Sequence, residues 1–132
     1  MIGLDTNVLL RALMDDDPAD TPRAKTFLAG LTNEVPGVVN TVVLAELVWS
    51  LRTAYAMPRA EIAGILRDMT ESGAYAFENR DAVLRALHDY EGGSSSFTDR
   101  LIAEINEELG CTATVTFDQG ALPHPPFVPV PS

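Results

Sequence analysis

The chain of 132 residues holds one cysteine, two histidines and only nine Lys and Arg side chains. Each shortage closes off a class of reading. Cys111 has no second cysteine to bridge with, which fits a reducing compartment and predicts a cytoplasmic protein. It precedes an apolar run and is read as packing material. His88 and His124 match no catalytic constellation and are read as surface or loop residues. No apolar run approaches the ~18 residues that cross a bilayer, so no membrane association is expected. The N-terminus lacks a basic segment and Asp5 interrupts its apolar stretch, so no secretory leader is predicted. Positive charge is scarce enough to leave a net charge of −10. Tight non-specific nucleic-acid binders neutralise phosphates with basic patches, and none is visible here. An enzyme that meets phosphate through a bound metal remains compatible with this charge, as does a basic partner protein.

What is present is ordinary for a globular fold: 46% hydrophobic and 21% charged residues. The length predicts one domain over 1–132, burying roughly two-thirds of the surface of its unfolded chain. Strands are expected at the first residues, at 34–40, at 74–77 and at 112–117. Helices are expected over 6–14, from Asp20 or Thr21 to 31, and over 41–56, 58–72, 80–90 and 97–109. The Asp15–Asp17 run is read as a solvated loop that ends the first helix ahead of Pro18. GGSSS at 92–96 is a break, and Gly110 stops the last helix. The tail over 123–132 carries five of the nine prolines and is expected to be at most an extended edge segment. Strands alternating with helices imply an α/β fold with a parallel sheet covered on both faces.

Four carboxylates stand out. Asp5 and Asp118 each follow a short apolar segment read as a buried strand, where open α/β sheets place their ligands. Glu46 is the only charge between Glu34 and Arg52 and shares a helix face with Val42, Val43 and Trp49. Asp99 lies in a first helical turn beside an apolar stripe of Ile102, Ile105 and Leu109, expected to aim it at the sheet. Each acid alone has a structural explanation, as a turn former, a solvated side chain or a capping-box partner of Ser96. Together they form a set that could share one edge. Unneutralised, converging carboxylates repel, and a divalent cation relieves this. Oxygen ligands without His or Cys favour Mg²⁺ or Mn²⁺ over zinc.

At these residues the chain resembles a known family. DTNVLLR at 5–11, AELVW at 45–49, FTDRLIA at 97–103 and VTFD at 115–118 resemble the PIN-domain nucleases, and within them the VapC toxins of VapBC toxin–antitoxin pairs. The resemblance implies a PIN-like three-layer sandwich, with a central, mostly parallel sheet of four to five short strands flanked by helices. It implies that Asp5, Glu46, Asp99 and Asp118 are catalytic and metal-binding acids, with Thr6, Asn7 and Thr116 as polar neighbours. It implies Mg²⁺- or Mn²⁺-dependent cleavage of RNA, a VapB-like antitoxin and a homodimer. One departure is visible. The family often reads D-F-x-D at the third acid, whereas this chain has Ser96-Phe97-Thr98-Asp99, which implies a weaker second metal. Arg11 and Arg100, beside the acidic blocks, are candidates for phosphate contact. Two rivals remain: a non-catalytic binding module using Val42, Val43 and Trp49, and an aspartate-based phosphotransfer protein. The second is disfavoured by Thr6-Asn7 after Asp5, where a further acid would be wanted, and by the lack of a lysine after the last strand.

Overall fold

A computed structural model describes residues 1–93 and 95–132, so one position of the expected GGSSS break, Ser94, lies outside the described residues. Among the described residues there are six helices and five short strands, every strand pair parallel. The chain divides into two compact units, Met1–Glu78 and Asn79–Ser132.

The first unit runs β1 (Ile2–Gly3), α1 (Thr6–Met14), α2 (Asp20–Ala29), β2 (Gly37–Val39), α3 (Thr41–Thr53), α4 (Arg59–Glu71) and β3 (Tyr75–Phe77). Its sheet has the order β1-β2-β3, with Ile2 opposite Gly37 and Gly37 opposite Tyr75. Helices separate successive strands, as parallel pairing requires. The starts and stops have local causes. Asp15 closes α1 in the left-handed region at φ 51°. Asn40 caps α3, its side chain accepting from the Val43 N–H at 2.9 Å. Gly37 admits close approach of its neighbours, since a Cβ there would stand 2.6 Å from Leu4 Cδ1. Leu9, Leu44, Leu47, Leu51, Ile62 and Leu66 fill the core at helical spacing. The Asp15–Asp17 run is paired rather than simply solvated: Asp15 meets Lys25, and Asp16 and Asp17 meet Arg11.

The second unit runs α5 (Arg80–Glu91), α6 (Phe97–Glu108), β4 (Thr114–Thr116) and β5 (Phe127–Pro129). The proline-rich tail thus supplies a strand, paired in parallel with β4. Its prolines cost little there because a strand at the sheet's margin has donors to spare. α5 packs along α6, with Tyr90 and Phe97 edge to face at 5.9 Å.

Three sequence expectations are corrected. β1 and β4 are not buried strands, because Ile2, Val115 and Phe117 are exposed; β1 is an edge strand and β4 belongs to a two-stranded sheet. The α6 stripe is misassigned: Ile102 and Leu109 are exposed, and the buried face carries Phe97, Arg100, Leu101 and Glu104. Ion pairs, not apolarity alone, let that face be buried. Cys111 is exposed, beyond the helix end where Gly110 turns the chain at φ 96°.

Candidate functional site

The candidate acids divide evenly, Asp5 and Glu46 in the first unit and Asp99 and Asp118 in the second. Asp5 leaves β1 in an extended conformation and caps α1, Oδ1 accepting from the Thr6 N–H at 2.8 Å. This exposed carboxylate keeps Oδ2 without a hydrogen bond or ion pair among the described residues. Next to it, the Thr6 hydroxyl is buried without a hydrogen-bond partner among the described residues, which costs about 1–3 kcal/mol unless another polar group completes it. Asn7 is exposed in the same turn. Glu46 projects from α3 between exposed Val42 and Trp49, while Val43 turns into the core.

In the second unit, Ser96 caps α6 by accepting from the Asp99 N–H at 3.1 Å. The residue that replaces the family's extra acid is therefore spent on starting the helix, and Asp99 stands half-buried in the first turn. Asp118 follows β4 in a tight turn. Its N–H donates to Thr116 Oγ1 at 2.9 Å, and its Oδ1 accepts from the Gly120 N–H at 2.8 Å. Thr116 therefore holds the backbone that presents Asp118. The carbonyl of Asp118 also accepts from Ala121 and Leu122, which closes the turn.

Not every acid after a strand is of this kind. Glu78, directly after β3, accepts from the Thr41 N–H at 2.9 Å and so ties the start of α3 to the end of β3. That bond holds its carboxyl below the usual carboxylate range. Asp17 is lowered as well, first by the Asp20 N–H. The Tyr55 hydroxyl donates to Asp16 Oδ2 at 3.0 Å, which raises the phenol above its usual value.

The two arginine candidates separate sharply. Arg11 is partly exposed and meets Asp16 and Asp17 at 3.7 and 3.6 Å. Arg100 is buried, which corrects its reading as a phosphate contact. Its guanidinium donates to the Pro125 carbonyl at 2.8 Å and to Glu104 at 3.4 Å, and Nε lies 3.3 Å from Asp89. These interactions occupy the side chain inside its own unit. Sequence reasoning missed Arg23 and Phe27, which line a cavity with Arg11 and Asn7. Their signal was the i, i+3, i+7 spacing of Asp20, Arg23 and Phe27 on α2.

Among the described residues no three His, Cys, Asp or Glu side chains come close enough to hold a metal ion. The chemistry of the donors nevertheless fits a hard cation. None of the four carboxylates is paired with a Lys or Arg among the described residues, whereas Asp89, Glu104 and Glu108 all are. Among the described residues, no helix is long and apolar enough to cross a membrane.

Compared with known families, the PIN domain, a nuclease-type fold, matches residues 2–125. No curated protein matches the chain.

Proposed function

The chain belongs to the PIN domain family, and from that premise we propose that it is a metal-dependent endoribonuclease, the toxin of a VapBC-type toxin–antitoxin pair. PIN domains are generally nucleases, and the ordered strings around Asp5, Glu46, Asp99 and Asp118 support the narrower reading. The observation that carries it is that, among the described residues, these four acids keep carboxylate oxygens unclaimed by Lys or Arg, whereas Asp15, Asp16, Asp17, Asp89, Glu104 and Glu108 are paired.

Asp5, Glu46, Asp99 and Asp118 would hold Mg²⁺ or Mn²⁺, their oxygen-only donor set matching hard cations. When bound, such an ion polarises a phosphate oxygen and acidifies water. Glu46 or Asp118 accepts the proton of the attacking water, and the Thr116 hydroxyl keeps the Asp118 backbone in place. Arg11 meets the phosphate, since its carboxylate partners lie at long range on the surface. With a net charge of −10, an unaided approach of RNA is unfavourable, and a bound cation lessens that repulsion. The same charge suits a basic, VapB-like antitoxin, and a homodimer is proposed with it. A small gene directly upstream encoding a basic-tailed DNA-binding protein is the expected genomic companion.

The test is cleavage of single-stranded RNA. Activity should require Mg²⁺ or Mn²⁺, stop with EDTA, and fall by at least about a hundredfold in Asp5→Asn. Undiminished cleavage by that variant would sink the assignment. A non-catalytic binding module remains the second reading, favoured by the exposed Val42 and Trp49 on α3. It predicts no metal-dependent cleavage under any of these conditions.

A further inference from the structure

Between α1 and α2 the first unit opens a cavity of about 600 Å³, within the size range of small-ligand sites. Two helical faces build its wall. Asn7 and Arg11 lie one turn apart on α1, and Asp20, Arg23 and Phe27 follow at helical spacing on α2. Gly3, at the end of β1, completes the lining, and a Cβ there would meet nothing within 4 Å.

We propose that this cavity is a nucleotide subsite for single-stranded RNA, in which Phe27 stacks on a base, Arg11 and Arg23 hold the adjoining phosphate, and Asn7 meets the base edge. The inference rests on the ribonuclease reading and names the part of the chain that grips the substrate. Phe27 is 44% exposed and stacks on no other ring among the described residues, so an aromatic face is open to a base. Such faces bind splayed bases in single strands, whereas a duplex keeps its bases stacked. The lining carries two guanidiniums and one acid, Asp20, with Asp16 and Asp17 beside Arg11 just outside it. The guanidiniums are weakly held. Arg11 meets Asp16 and Asp17 at 3.7 and 3.6 Å, and Arg23 meets Asp20 at 3.5 Å. Those separations exceed the ~2.7–2.9 Å of a charge-assisted hydrogen bond, leaving N–H donors for a phosphate. Asn7 stands two positions after Asp5, so the subsite adjoins a candidate catalytic acid along the chain.

The experiment measures binding apart from cleavage. A fluorescein-labelled single-stranded oligoribonucleotide is titrated into the Asp5→Asn protein and followed by anisotropy. Adding Phe27→Ala should weaken binding about tenfold, the loss of one stacked base. Adding Arg23→Gln should weaken it several-fold and reduce its salt dependence. Gly3→Val, which adds bulk where there is open space, should also weaken it. Arg52→Gln, on an exposed position of α3 outside the cavity lining, removes the same charge and should change little. The inference is overturned if the cavity variants behave like Arg52→Gln, if no oligoribonucleotide binds, or if an acidic peptide takes the cavity instead. Phe27-dependent binding without metal-dependent cleavage by the unmutated protein overturns the ribonuclease reading and leaves the subsite standing. Cleavage with binding indifferent to Phe27 does the reverse.

Discussion

The two units use arginine in opposite ways. In the first, Arg11 and Arg23 sit on the surface at 3.5–3.7 Å from their aspartates and face an open cavity. In the second, Arg85 reaches Glu104 at 2.8 Å and Glu108 at 2.7 Å, while Arg100 is buried among Asp89, Glu104 and the Pro125 carbonyl. Distance and burial decide what an arginine can do. Exposed, long-range pairs contribute little and exchange readily for another anion. Buried, hydrogen-bonded pairs hold helices together, and losing one partner strands the other charge. Two arginines beside candidate acids look alike in a sequence, but one is available to a substrate and the other joins α6 to α5 and the tail.

The largest expected effect follows from the second unit. Glu104→Gln should destabilise the protein by about 3 kcal/mol in urea titration, because it leaves two guanidiniums short of their shared carboxylate. A loss below ~1 kcal/mol would mean that the buried network is no tighter than the surface pairs. Next, Asn40→Ala and Ser96→Ala each remove a helix cap, one per unit, and should cost about 1 kcal/mol by the same measurement. Ser96→Ala bears on function too, since its hydroxyl fixes the turn that carries Asp99. Smaller still, Arg11→Gln should change stability by less than ~1 kcal/mol, as expected of an exposed pair. A loss as large as that of Glu104→Gln would erase the contrast between the units.

Acid should act on the first unit through Glu78 and Asp17, whose folded carboxyls lie below their usual range. A depressed value means that the folded state binds the proton less readily than the unfolded state does. The resulting stability is present above the ordinary carboxylate range and is lost as pH falls through the depressed values. Glu78→Gln and Asp17→Asn should therefore each flatten the acid limb of a stability–pH curve. An unchanged limb in both variants would show that these hydrogen bonds do not contribute to it.

The helices were the most legible part of the fold. α1 runs over Thr6–Met14 as expected, and α3, α4, α5 and α6 start or end within a few residues of the reading, because capping residues and prolines act locally. The proline-rich tail was correctly limited to an extended margin, and it pairs there as β5. Burial was less legible. α6 misled because apolar spacing at Ile102, Ile105 and Leu109 looked like a core face, while the buried face carried Arg100 and Glu104 neutralising each other and their partners on α5. Charge pairs can be buried only when both members arrive together, and a linear reading does not show that meeting. The same holds for the candidate site. The acids at Asp5, Glu46, Asp99 and Asp118 were visible as residues, and the match over 2–125 supports the family they suggested. The α1–α2 cavity was not visible, since it exists only where Arg11 on one helix faces Arg23 and Phe27 on another.

By itself, then, the order of residues determined the alternation of strands and helices, their caps, the acids available as oxygen donors and the family to which the chain belongs. Tertiary structure alone decided which arginines are spent and which are available, which apolar residues stay on the surface, and that Glu78, 37 positions away, joins the Asn40 cap at the start of α3 by accepting from the Thr41 N–H. Periodicity and capping depend on neighbours within a turn or two. Burial, ion pairing and cavity formation depend on groups that only packing brings together.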